Sequence, residues 1–167
     1  MHTQGSVIFT PHRKAYVTQK TTVCNCLFCS VAKELPSVSN HVLLRTEHGM
    51  VMLNRYPYST GHLMIVPVRH VANYSKLTKK EHSEIIRLTN ISLKALDTVY
   101  APHGFNIGLN IGSAAGAGIP DHLHFHVVPR WENDANFMTS VAQSRVIPDS
   151  LDGMYGDLKK HFHRKKV

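Results

Sequence analysis

A chain of 167 residues with 43% apolar content can bury one substantial core but is short for a two-domain enzyme, and it has no uninterrupted apolar run of about 18 residues that would cross a membrane. Its formal charge of +8 attracts anionic partners, which admits both nucleic acid and polyphosphate. Much of that excess sits in the terminal run KKHFHRKKV, Lys159–Val167, where charge commonly marks a solvated tail, so charge alone selects no partner.

Residues 1–20 contain no apolar stretch of signal-peptide length and are read as an N-terminal arm, so a soluble, cytoplasmic protein is expected. An ordered body is expected over 21–150 and a basic helix or tail over 151–167. The three cysteines, Cys24, Cys26 and Cys29, all fall within CNCLFC. Thiols so close together cannot staple distant parts of a fold, and a C-x-x-C without a surrounding thioredoxin-like pattern points to metal. Cys26 and Cys29 are candidate zinc thiolates. A four-coordinate structural site needs two further ligands, for which His70, just past a buried strand, and His122 are the candidates. The competing reading makes Cys26 and Cys29 ordinary buried thiols and leaves His70 on the surface, because spacing alone does not pair ligands this far apart.

Val42–Thr46 and Gly49–Asn54 read as strands joined by the tight turn Glu47-His48, and Leu63–Val68 follows YSTG as a third strand. The pattern from Lys79 to Tyr100 predicts one long helix, with Thr78 and Glu81 as a capping box and Ile85, Leu88, Ala95, Leu96 and Val99 on one side. Pro102 and Gly104 end it. Phe105–Ile111 and His122–Arg130 are predicted as two more strands, separated by the small-residue loop GSAAGAGIPD. The fold class is therefore α+β with a largely antiparallel sheet.

In the last strand, His122, His124 and His126 occupy every second position and Leu123, Phe125 and Val127 alternate with them. In a strand these positions put three imidazoles on one face and the apolar spacers on the other. A neutral imidazole whose second ring nitrogen is held by an acceptor is a competent nucleophile toward phosphorus, and His124 is the central one. Gly112, Gly116 and Gly118, with small neighbours such as Ala117, would let a backbone rich in N–H donors approach an anion.

The stretch HLHFHVVPR resembles the signature of the histidine triad (HIT) family of nucleotide hydrolases and transferases. LNRYPYSTGHLMIVPVRH, Leu53 to His70, resembles the family's nucleoside-binding hairpin, and NIGSAAGAG resembles its phosphate loop. The resemblance implies a sheet of about five strands with one long helix and a C-terminal helical segment, the catalytic domain occupying 21–150. It also implies attack by His124 on an α-phosphate, a covalent nucleotidyl-histidine, and transfer of that group to an acceptor. His126 is then expected at a phosphate oxygen or the leaving group, Asn110 at phosphate or the leaving group, Asn54 at the ribose hydroxyls and Leu53 near the base. Gly112, Gly116, Ala117 and Gly118 would line the phosphates, and Trp131 is read as a nucleoside-pocket group. By similarity to the related galactose-1-phosphate uridylyltransferases, His122 would join Cys26, Cys29 and His70 on zinc, and at least a dimer is implied, homodimer or tetramer.

One departure narrows the expectation. Hydrolytic relatives commonly carry glutamine followed by serine or threonine where this chain has Gly118 and Ile119. The run AGAGIPDHLHFHVVPRW, with NDANFM after it, instead resembles the bacterial branch that includes diadenosine tetraphosphate phosphorylases, in which inorganic phosphate accepts the nucleotidyl group. The rival enzyme is a hydrolase or nucleoside phosphoramidase that uses water. From a different class, a zinc-stabilised nucleic-acid-binding module would use the basic ends with Tyr56, Tyr58 or Trp131 stacking on bases, but the basic residues are not interleaved with aromatics in a recognised motif.

Overall fold

Turn-bounded alternation gives an antiparallel meander of Val42–Arg45 (β1), Gly49–Leu53 (β2) and Leu63–Pro67 (β3), within a residue or two of the expected limits. These elements come from a computed structural model, which describes residues 26–132, 134, 147 and 149–162. The arm at 1–20, Cys24 and the end of the basic run at 163–167 lie outside the described residues. Gly104–Leu109 (β4) and Phe125–Arg130 (β5) complete one five-stranded sheet in the order β1-β2-β3-β5-β4, antiparallel throughout.

Every residue of β2 and β3 is buried, because both faces of the sheet are covered there. On one face Val51, Leu53, Leu63, Ile65 and Val127 pack against the predicted long helix, Lys79–Tyr100. On the other, Met50, Met52, Met64 and Val66 meet Phe28 and Val31 of a five-residue helix, Leu27–Val31 (α1), which the sequence reading did not anticipate. The long helix (α2) begins with the expected reciprocal cap: the Thr78 side chain accepts from the Glu81 N–H, and the Glu81 carboxylate accepts from the Thr78 N–H at 2.7 Å. It ends at Ala101, which takes a left-handed φ of 43° before Pro102.

The C-terminal segment is a helix over Leu151–Lys159 (α3), capped by the Ser150 side chain. Met154, Leu158 and Phe162 enter the main core, and Lys159 Nζ donates to the Leu43 carbonyl at 2.7 Å. The apolar stripe, not the basic charge, decides how this segment sits.

The last strand starts later than its alternation predicts. His122 and His124 precede β5, which pairs with β3 over Phe125–Val127 and Ile65–Leu63. Ahead of Phe125 the backbone bonds elsewhere, the Leu123 N–H reaching the Val71 carbonyl at 2.8 Å. The two-residue alternation survives without the ladder: Leu123 is in the α2-side core, and the histidines face the other way.

Candidate functional site

The tight spacing of C-x-x-C places Cys26 and Cys29 on the first turn of α1, where the helix brings both sulfurs toward the chain that leads into β5. The ligand atoms of Cys26, Cys29, His70 and His122 all lie within 4.8 Å of one another. Cys26 Sγ is 3.3 Å from His122 Nδ1, and Cys29 Sγ is 3.2 Å from His70 Nδ1. A carbonyl can only accept, so the 2.9 Å contact between His122 Nε2 and the Pro67 oxygen fixes the proton on Nε2 and leaves the Nδ1 lone pair facing the cysteines. That outer hydrogen bond is the usual companion of a metal-bound imidazole. Burial and Cys26 hold the Cys29 thiol up at about 11, and burial holds His122 down at about 4. The Cys29 sulfur becomes a thiolate readily only beside a cation, while His122 is already in its neutral ligand form. The donor set therefore fits a metal ion. His70 is steadied from the next residue: Arg69 makes a bidentate pair with Glu81 at 2.8 Å, which holds that carboxylate down at about 2.

The same tautomer argument runs through the next two histidines. His124 Nδ1 is 2.9 Å from the His122 carbonyl oxygen, so Nδ1 carries the proton and Nε2 keeps its lone pair. Burial keeps the ring neutral by lowering its pKa, against the opposing effect of that hydrogen bond. Phe28 buttresses both imidazoles, its ring 5.3 Å from His122 and 5.2 Å from His124 between centroids.

His126 is oriented by a residue the sequence reading passed over. The Tyr58 N–H donates to His62 Nδ1 at 3.0 Å, and the Asn54 amide approaches that nitrogen at 3.3 Å. His62 must then be protonated on Nε2, which lies 2.9 Å from His126 Nδ1. His126 accepts there, and in its neutral form it carries its own proton on Nε2. Adjacent rings 5.1 Å apart thus present opposite functions, a lone pair on His124 and an N–H on His126. His62 is fully buried, and burial, with help from His126 and His124, pushes its pKa down to about 3. Its signal in the sequence was a histidine opening an apolar strand, G-H-L-M-I-V-P.

His124 and His126 line a cleft of about 150 Å³ with Asn54, Gly116 and Gly118. It shares Leu27, Met52 and Arg55 with a larger cavity of about 580 Å³ that also includes Val31 and Leu53. Asn110 is in neither, lining a groove on the far side of His126 with its amide beside Gly116. Trp131 lines none of the three depressions; its N–H binds Asp134 at the end of β5. Gly112 and Gly116 take φ of 81° and 87°, conformations glycine adopts without strain, and between them the loop closes a short 3-10 turn. That turn uses some of the donors expected for phosphate. The N–H groups of Ala115, Gly116 and Ala117 bind the carbonyls of Gly112 or Ser113, and Ala117 is buried.

Residues 36–133 match the family model described as the HIT domain. An AP-4-A phosphorylase of Mycobacterium tuberculosis is 45% identical over 121 residues, 71% of this chain but 62% of that protein's length. An adenosine 5'-monophosphoramidase of Schizosaccharomyces pombe is 30% identical over 107 residues, covering 64% of this chain and 74% of its own. Among solved structures, a Zn-bound histidine triad family protein from Mycobacterium smegmatis superposes with a TM-score of 0.66 at 23% identity, over 84% of this chain and 94% of its own, and shows the same fold.

Proposed function

The chain belongs to the HIT family, and from that premise we propose that it cleaves dinucleoside polyphosphates through a nucleotidyl-histidine, with inorganic phosphate as the final acceptor. The observation that carries this reading is the pair of tautomers fixed at His124 and His126. His124 Nε2 attacks the α-phosphorus, a P–N bond forms, and the P–O bond to the remaining nucleotide breaks. His126 Nε2–H binds the oxygen that gains charge as it leaves. A phosphate oxygen then attacks the same phosphorus and returns the electron pair to His124. From diadenosine tetraphosphate the products are ATP in the first step and ADP in the second.

The larger cavity is assigned to the base, between Leu27 and Val31 on one side and Met52 and Leu53 on the other, with Asn54 at the ribose. Asn110 and the backbone of the loop from Gly112 to Gly118 would hold phosphate. Support for phosphorolysis comes from the mycobacterial relative's name and from Gly116 and Gly118, which leave the cleft wall without side chains. The phosphoramidase relative supports the rival reading, with water as acceptor.

Zinc is the metal proposed for Cys26, Cys29, His70 and His122, a donor set of two thiolates and two imidazoles that suits it. When bound it supplies structural cross-linking of α1 to the approach to β5. Among the described residues no helix is long and apolar enough to cross a membrane; a cytoplasmic setting and a homodimer or tetramer remain part of the proposal. Product analysis of diadenosine tetraphosphate with and without phosphate tests the reading, since ATP plus ADP appears only if phosphate is the acceptor.

A further inference from the structure

Side chains leave α1 toward two different places. Cys26 and Cys29 turn their sulfurs to His122 and His70. Leu27 and Phe28 line the reaction cleft, and Leu27 and Val31 line the larger cavity. Phe28 also reaches the ring of His124, 5.2 Å between centroids. A helix of five residues is not stable by itself, so its place depends on what holds it. Among the described residues it is held by the packing of Phe28 and Val31 on the sheet and by the candidate metal cluster.

We propose that Cys26 and Cys29 form a reversible oxidation site, a thiol pair that peroxide joins as a disulfide and that thereby controls how firmly α1 walls the nucleotide site. The inference rests on the cleft and the metal cluster as read above. The two sulfurs lie within 4.8 Å of each other. Residues three apart on a helical turn are neighbours, so adjustments confined to this turn bring the sulfurs to bonding distance. Cys29 is partly exposed while Cys26 is buried, which divides the roles. The Cys29 sulfur attacks one peroxide oxygen, the O–O bond breaks, hydroxide leaves and Cys29 becomes a sulfenic acid. The Cys26 sulfur then attacks the Cys29 sulfur, the S–O bond breaks and a second hydroxide leaves. Two protons, from the thiols or from solvent where the sulfurs were thiolates, complete two waters. The sulfurs are oxidised and the peroxide is reduced.

The thiolate is the metal ligand, and a disulfide has none to offer. Oxidation therefore takes two of the four donors and leaves His70 and His122, too few for a tetrahedral structural site. α1 then keeps only its packing on the sheet. The wall that Leu27, Phe28 and Val31 give to the cleft and the larger cavity loosens, although no reacting group has been removed.

The test uses the full chain carrying Cys24→Ser, which leaves Cys26 and Cys29 as its only thiols. Zinc-loaded protein is treated with hydrogen peroxide and followed by mass, by thiol titration, by a chromophoric zinc chelator and by calorimetric titration with AMP. Loss of both thiols with two hydrogens, release of zinc and a fall in AMP affinity of about tenfold are expected. Dithiothreitol with zinc should restore all three, and reduced protein stripped of zinc should show the same fall. Met52 and Met64 also line the cleft, but dithiothreitol does not reduce a methionine sulfoxide, so recovery assigns the loss to the cysteines. Unchanged AMP affinity after oxidation or after stripping overturns the proposal, as does a fall that accompanies global unfolding by circular dichroism. A disulfide between two chains, a sulfinic acid that dithiothreitol leaves in place, or reduced protein that holds no zinc or binds no AMP also overturns it. The two readings separate: AMP affinity that follows oxidation in a protein releasing no ATP from diadenosine tetraphosphate supports the oxidation site and defeats the proposed catalysis. ATP release with AMP affinity indifferent to oxidation does the reverse.

Discussion

The backbone carbonyl of His122 accepts the Nδ1 proton of His124 at 2.9 Å, while the His122 side chain points its own Nδ1 at Cys26 and Cys29. One residue therefore belongs to two sites: its imidazole to the candidate metal cluster, its peptide to the proposed nucleophile. Whatever fixes the ring of His122 also fixes the carbonyl that selects the tautomer of His124.

His124→Ala should lower turnover of diadenosine tetraphosphate by about a thousandfold or more, because it removes the atom proposed to bond to phosphorus. Nucleotide affinity should persist, since the larger cavity and Asn54 are untouched. His126→Ala should be less severe, as it removes a hydrogen bond and no covalent step. Single-turnover kinetics with a binding titration checks both. Turnover by His124→Ala near that of the parent protein would remove the covalent mechanism.

Removing the metal should cost stability as well as activity. Cys26→Ser, or prolonged chelation, takes away the cross-link between α1 and the approach to β5, and metal binding is folding energy where the site does not exist in the unfolded chain. A fall in Tm of roughly 5 °C or more is expected, with zinc found by elemental analysis in protein prepared without chelator. Cys24, outside the proposed four, should be replaceable by Ser without either loss. Protein that contains no zinc and melts identically with and without chelator would refute the site.

His62 gives a pH dependence whose sign is fixed by burial. Its pKa is about 3 in the folded protein against an ordinary value near ~6.5 in the unfolded chain. Between those values the unfolded chain takes up a proton that the folded protein refuses, so stability is fully present above pH ~6.5 and drains as the pH falls toward about 3. His62→Gln should be less stable near neutrality but should lose less as acid is added, because glutamine does not titrate. Urea unfolding at several pH values measures the two slopes. Equal slopes would mean that His62 is not the group responsible.

The long helix and the sheet were legible because their periods are, and Thr78 with Glu81 marked the helix start unaided. The metal cluster was legible in part. C-x-x-C announces two ligands, but the 2.9 Å bond from His122 to Pro67 is set by tertiary packing and leaves no trace in spacing. His62 and Phe28 escaped for the same reason: each sits in an apolar run that reads as core, and each does pack in the interior while also touching the ring of His126 or His124. Trp131, an aromatic beside the motif in sequence, lines none of the three described depressions, because β5 carries it past Arg130. The glycine-rich loop was legible as a loop, yet its composition could not say that its own 3-10 turn would consume three of its N–H groups.

Phosphate as the acceptor can be tested at Gly118. Two anions share a small cleft only if there is space for both and if donors and cations offset their repulsion. The cleft supplies space through Gly116 and Gly118, and among its described lining residues Arg55 is the permanent cation. Water demands neither. Gly118→Gln should therefore crowd the incoming phosphate and slow phosphorolysis by about tenfold or more, while AMP affinity changes little because the larger cavity does not include residue 118. With isotopically labelled phosphate, the label should enter the ADP formed in the second step and be absent from the ATP released in the first. The rate at limiting phosphate should rise with its concentration in the parent protein. AMP plus ATP as products, at a rate indifferent to phosphate, would make water the acceptor, and Gly118→Gln would then leave turnover nearly unchanged.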